Sequence, residues 1–255
     1  MTKPSQSTQP SGPQWITGSG VKVPAVTEAQ MREVDRIAVE ETGPNLFQMM
    51  ENAGRNLALA AIGMLEDDWR EARVLVLAGS GGNGGGGICA ARHLANRNVD
   101  VTVCLADAER LGEVPSFQLK VYKETAGAVA KSAQPAFNGA NIILDALIGY
   151  SLRGAPGGIT AELIGWANEC EAAVLSLDIP SGVESTTGET PGIVIQPSGT
   201  LTLALPKTGL NETNAGDVIL ADIGIPMGVY RRMGLDYENP FDNRFSVPIS
   251  PVVGG

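Results

Sequence analysis

Three stretches of this 255-residue chain carry residue types that do chemistry. The first is Ala78-Gly-Ser-Gly-Gly-Asn-Gly-Gly-Gly-Gly87. Glycines there admit positive φ and let a ligand approach the backbone. Successive N–H groups can then form an anion nest at the positive end of a following helix, which is phosphate-binding chemistry. No Gly-Lys-Ser/Thr closes the loop, so it is not a Walker loop. The plain dinucleotide fingerprint also fits poorly, because no acidic residue ends the next apolar run near Val103. The other two stretches are Asp145-Ala-Leu-Ile-Gly-Tyr-Ser-Leu-Arg-Gly-Ala155 and Asp178-Ile-Pro-Ser-Gly182, each with an Asp where an apolar run stops. With Asn83 and Ser181 they offer two carboxylates, an amide oxygen and a hydroxyl. Hard oxygen ligands of this kind suit an alkali or alkaline-earth cation better than zinc. The plainer role for either Asp is to cap a turn or a helix. Asp178 is the better acid–base candidate if burial near a ligand tunes it. The single histidine, His93, has no thiol beside it in the sequence, so a His-based triad is disfavoured and a structural role is expected.

The elements that must position these groups follow from hydrophobic pattern. Thr27-Glu-Ala-Gln30 is a capping box that opens a helix, and Gly43-Pro44 ends it. A second helix is predicted over 45–65, with Phe47, Met50, Ala53, Leu57 and Ala61 on one face. Residues 73–78 are apolar without alternation, as in a parallel strand buried on both faces. After the glycine loop 79–87 come a helix to about 97, a strand at 99–105 and a helix at 117–126. A strand at 141–146, a helix at 160–169 and a strand at 173–177 follow, then strands at 199–204 and 218–223. The alternation predicts a three-layer, Rossmann-like, doubly wound α/β fold, with a mostly parallel sheet and helices on both faces. Ligands of such sheets bind at the carboxyl ends of the strands, where all three chemical stretches fall.

Composition fits one domain, assigned to 25–236. Residues 1–24, rich in Ser, Gln, Pro and Gly, read as a flexible arm, and the Pro-rich tail 237–255 as flexible or as an oligomer contact. A net charge of −10 argues against a nucleic-acid groove. The three cysteines, Cys89, Cys104 and Cys170, lack metal spacing and read as free thiols of a reducing compartment. No apolar run approaches the ~18 residues of a membrane span. The N-terminus has no apolar signal core, so a cytoplasmic location is expected.

Taken in order, the motifs resemble one family. They are Met31-Arg with Asp35, Met50-Glu-Asn-Ala-Gly54, the loop 79–87, Ala91-Arg-His-Leu94, and Asp145-Ala-Leu-Ile-Gly149 with Leu152-Arg-Gly154. Asp178-Ile-Pro-Ser-Gly182, Pro206-Lys-Thr-Gly-Leu210 and Asp222-Ile-Gly-Ile-Pro226 complete the set. From about Val26 to Met227 the chain is similar to NAD(P)H-hydrate epimerase, the family built on the YjeF N-terminal domain. The resemblance implies interconversion of the R and S forms of hydrated NADH and NADPH, a homodimer, and a separate dehydratase that completes repair. It implies a potassium ion held by Asn83, Asp145 and Ser181. It places the hydrated nucleotide against Gly82, Asn83, Gly84, Gly85 and Gly86, then Gly149, Tyr150, Ser151, Leu152, Arg153, Gly154 and Ala155, with Asp178 as substrate contact and catalytic residue. The family loop usually reads Gly-Pro-Gly-Asn-Asn-Gly-Gly-Asp-Gly. Here Ser80 replaces its proline, Gly82 its first Asn and Gly86 its Asp. A non-catalytic nucleotide-binding or scaffold module of the same fold is the alternative reading.

Overall fold

The computed structural model describes residues 14–130 and 139–252. In chain order the strands are β1 (Gln14–Thr17), β2 (Lys22–Pro24), β3 (Arg73–Ala78), β4 (Asp100–Leu105) and β5 (Ala128–Ala130). They continue as β6 (Ile142–Ala146), β7 (Ala173–Leu177), β8 (Gly199–Leu203), β9 (Asp217–Ala221) and β10 (Ser246–Pro251). The helices are α1 (Glu28–Ile37), α2 (Leu46–Leu65), α3 (Gly82–Ala95), α4 (Glu113–Tyr122), α5 (Gly158–Glu169) and α6 (Met227–Arg232).

All ten strands among the described residues join one sheet in the order β2-β1-β10-β9-β8-β7-β6-β3-β4-β5. From β9 to β5 every pair is parallel, and β10, β1 and β2 extend the sheet antiparallel. The chain runs outward from β3 through β4 to β5, then returns to β6 on the other side of β3. The β3/β6 boundary is therefore the topological switch point, where the two following loops diverge and leave a crevice.

Strand β3 shows why its sequence lacks alternation. Val74, Val76 and Ala78 pack in a core with α1 to α4 and α6, while Leu75 and Leu77 pack with Leu163, Ile164 and Ala167 of α5 on the opposite face. Helices thus cover both faces, as expected. At the start of α1 the Thr27 hydroxyl accepts from Gln30 N (3.3 Å) and the Gln30 side chain accepts from Thr27 N (2.9 Å). Asn45 and Gln48 repeat that box at α2; each such cap stabilises its helix by about 1 kcal/mol. Beyond Ile37 one wide helical turn, Ala38–Thr42, runs on to Gly43, whose φ of 78° stops the helix.

Three boundaries differ from the sequence reading. Helix α3 begins at Gly82, so most of the glycine loop is helical. Helix α4 starts at Glu113, with Pro115 in its first turn, where a missing N–H costs nothing. The expected arm and tail are partly sheet. Residues of β1 and β2 pair with each other, and β1 pairs with β10, bringing Trp15 opposite Pro251. Trp15 is 1% exposed, so burial of one large side chain anchors a segment of otherwise polar composition. The rest of the arm, residues 1–13, and the last three residues lie outside the described set.

Candidate active site

A cleft of about 640 Å³ opens at the switch point. One wall is the start of α3 and the loop after β6: Gly81, Gly82, Asn83, Gly149, Tyr150 and Ser151. The other comes from α1 and α2, through Met31, Arg32, Asp35, Met49 and Met50. Asp178 and Lys207, just past β7 and β8, also line it.

Helix α3 has Gly81 as its N-cap and no side-chain cap. Its first-turn amides lack intrahelical acceptors, and with the helix dipole they favour an anion there. The glycines divide by task. Gly82 and Asn83 line the cleft, whereas Gly84, Gly85 and Gly86 do not. A Cβ on Gly84 would stand 1.8 Å from Gly79 O, and one on Gly86 would stand 2.8 Å from Leu177 Cδ2. One on Gly85 would stand 2.8 Å from Val114 of α4. These three glycines seat the helix tightly against its neighbours, and that packing outweighs their poor helix propensity, roughly 1 kcal/mol each.

Asp145, the penultimate residue of β6, has no exposed surface. Its carboxylate accepts from Ser181 Oγ (2.6 Å), Ser181 N (2.9 Å), Ser176 Oγ (2.8 Å) and Leu147 N (3.3 Å). Burial pushes its pKa up and those bonds pull it back. Every one of these donors is neutral, and among the described residues no cationic side chain pairs with Asp145. Ser181 Oγ also lies 3.2 Å from Ile148 O and accepts from Ile148 N at 2.9 Å. Asn83 comes alongside Gly149, and its buried Nδ2 has no hydrogen-bond partner. The three residues assigned to a cation are therefore all set around the loop that follows β6.

Asp178 adopts φ 72°, a left-handed conformation unusual outside glycine. Such strain costs of order 1–3 kcal/mol and clusters at functional sites. Its N–H donates to Leu201 O (2.7 Å), Tyr150 N donates to its Oδ2 (3.0 Å), and Lys207 Nζ pairs with its Oδ1. Lys207 also donates to Leu203 O at 3.0 Å. Across the cleft the Tyr150 hydroxyl donates to Asp35 Oδ2 at 2.5 Å. Burial raises the Asp35 carboxyl above the usual range, and the Tyr150 hydrogen bond opposes it.

The remaining assigned positions lie outside the cleft lining. Leu152 is buried, Arg153 bridges to Glu28 of α1 at 2.9 Å, and Gly154 and Ala155 are exposed. His93 also lies away from it, 2.9 Å from Glu51, which Arg92 grips at 2.6 Å. Cys89 shares that cluster, one helical turn before His93 and so invisible to a search for adjacent residues. Burial and the Glu51 charge push its thiol up to about 12, and the Arg92 guanidinium lies 3.4 Å from its sulfur. The Glu51 carboxylate is the hub of this group, hydrogen-bonded to Arg92, His93 and Cys89.

Sequence reasoning did not single out Lys207, Asp35 or Arg32 as site residues. The available signal was their place in the motifs Met31-Arg with Asp35 and Pro206-Lys-Thr-Gly-Leu210, and for Lys207 its position as one charge after the mostly apolar 201–206.

Comparisons with known proteins place the chain in a family. The profile of the family described as YjeF-related protein N-terminus matches residues 46–209. A protein of Dehalogenimonas lykanthroporepellens named NAD(P)H-hydrate epimerase is 50% identical, over 89% of this chain and 93% of its own. One of the same name from Truepera radiovictrix is 36% identical, over 83% and 94%. A protein of Moorella thermoacetica named bifunctional NAD(P)H-hydrate repair enzyme Nnr is 34% identical, and the match spans 40% of its length. The crystal structure of the yeast protein ynu0 superposes with a TM-score of 0.76 at 21% identity, covering 89% of this chain and all of that one.

Proposed function

This chain belongs to the family of YjeF-related protein N-termini, and we propose that it is an enzyme, an epimerase that interconverts the R and S forms of hydrated NADH and NADPH. The observation that carries this reading is the identity of 50% with a named epimerase over 89% of the chain. Asp178 is the acid–base residue of the proposal. It lines the cleft and is held on both oxygens. Epimerisation at C6 of the hydrated ring requires its hydroxyl to leave as water, while the ring nitrogen lone pair stabilises the cation. Water then returns to the other face. Positioned proton transfer of this kind contributes roughly 10²–10⁴-fold. The first-turn amides of α3 would take nucleotide phosphate.

A potassium ion held by Asn83, Asp145 and Ser181 is part of the same reading. The buried Asp145 charge lacks a cationic partner among the described residues, which supports it. Ser181 can turn its proton to Ile148 O and free a lone pair toward an ion. Bound there, the ion would supply fixed positive charge beside the loop 147–151. The reading also includes a homodimer, a cytoplasmic location and a separate dehydratase. Exposed Leu59 and Phe245 offer apolar surface for the first, and no described helix is long and apolar enough to cross a membrane. The bifunctional relatives support a repair pathway.

The test is an epimer mixture of hydrated NADPH supplied with a dehydratase that acts on one epimer. Rapid conversion of both epimers in the presence of this chain is expected. Conversion of only one, with nucleotide still bound, would show a non-catalytic module. Repeating the assay with potassium replaced by a bulky organic cation should slow the chain, and an unchanged rate would remove the ion from the proposal.

A further inference from the structure

We propose that Asp35 is a second acid–base residue of this epimerisation, acting on the ring face opposite the one served by Asp178; the inference rests on the epimerase reading. Epimerisation through a planar cation needs proton transfer on both faces, because one hydroxyl leaves and another arrives. Two buried or half-buried carboxyl groups line the cleft, Asp35 from α1 and Asp178 from the end of β7. A single residue spans them: Tyr150 donates its N–H to Asp178 and its hydroxyl to Asp35.

The surroundings set the two groups apart. Asp178 is ion-paired with Lys207. Asp35 has no ion-pair partner among the described residues, and its only described side-chain hydrogen bond is the one from Tyr150. The charged and titratable groups facing it are Tyr150, Lys207, Asp178 and Tyr230, with Arg32 on its own helix. Arg32 is held by Glu28 at 2.8 Å and lies 5.8 Å from the Tyr150 ring centre. Burial accordingly favours the protonated form of Asp35. One carboxyl is set to give a proton and the other to take one.

In one direction Asp35 gives its proton to the C6 hydroxyl. The C6–O bond breaks, water leaves, and the nitrogen lone pair closes the C=N bond of the cation. A solvent water on the opposite face attacks C6 as that C=N pair returns to nitrogen, and the attacking water loses a proton to Asp178. The proton now resides on Asp178, ready for the opposite epimer, and exchange with solvent resets the site.

The experiment measures epimerisation across pH for the wild-type chain, Asp35→Asn and Tyr150→Phe, with NADPH binding as a second readout. Asp35→Asn should lower kcat roughly 100-fold with NADPH affinity retained. Wild-type activity should fall at high pH as Asp35 ionises. Tyr150→Phe should move that fall to higher pH, because the phenol hydrogen bond favours the ionised carboxyl. Wild-type kcat in Asp35→Asn overturns the inference. If that variant does not fold, an unmoved basic limb in Tyr150→Phe overturns it instead. A wild-type chain that binds NADPH without epimerising overturns the epimerase reading, and the inference with it.

Discussion

The Lys207 ammonium meets the Asp178 carboxylate with both side chains withdrawn from water, at 0% and 5% exposure. A buried pair of this kind contributes little net stability, yet losing one partner strands the other charge. Lys207→Met should therefore lower the unfolding free energy by about 3–5 kcal/mol. The double change Lys207→Met with Asp178→Asn should recover part of that loss. Denaturant titration of both variants measures it, and equal stability of the single variant and wild type would show that the pair is not closed in solution.

Asp178→Asn keeps the shape of the side chain and its acceptor for Tyr150 N, while removing the group that takes a proton. Epimerisation should drop by roughly 100-fold or more with NADPH still bound. Full activity would exclude Asp178 from the chemistry.

Gly86 stands where related loops carry Asp, and Leu177 occupies the space that side chain would need. Gly86→Asp should destabilise the chain by about 1–3 kcal/mol through overpacking. Adding Leu177→Ala should make the same Asp markedly less costly, so the two changes should couple in a double-mutant cycle. Additive effects would mean the two positions do not share that space.

The Glu51 network should show itself in acid. Partial burial pushes the Glu51 carboxyl up, but hydrogen bonds from Arg92 and His93 prevail and bring it from 4.5 down to about 2. A carboxyl depressed in the folded state contributes stability that is complete above its unfolded pKa and is lost as pH falls through the folded one. Stability of the wild type should therefore decline between pH 4.5 and about 2, and Glu51→Gln should flatten that decline. Denaturation midpoints across this window check it; parallel curves would assign the decline to other carboxylates.

Most of the parallel half of the fold was legible because its strands are short, predominantly apolar runs, and the sequence reading of 173–177 coincides with β7, whereas the three-residue β5 was not read. The carboxyl-end rule then pointed to Asn83 and Asp178, which line the cleft, while Asp145 and Ser181 are buried and held to each other behind the loop after β6. Lys207 and Asp35 were quoted as parts of family motifs but not assigned to the site, because each is one charge in an apolar or helical context and only three-dimensional packing turns them toward Asp178 and Tyr150. Gly84, Gly85 and Gly86 were assigned to a ligand through the family resemblance; a Cβ on any of them would meet other parts of the protein, so their lack of a side chain also serves packing. Strand β10 was missed because Pro248 and Pro251 argue against a strand. Pro248 pairs only with β9, since β1 covers only Ile249, Ser250 and Pro251.

The pairing of β1 with β10 imposes an order on how the molecule is made. Among the described elements β1 emerges first from the ribosome and its neighbour last. Until then the β1/β2 hairpin has no third strand, and an isolated hairpin is marginal in water. Trp15 therefore meets Pro251, its partner across the sheet, only after every other described strand has been made.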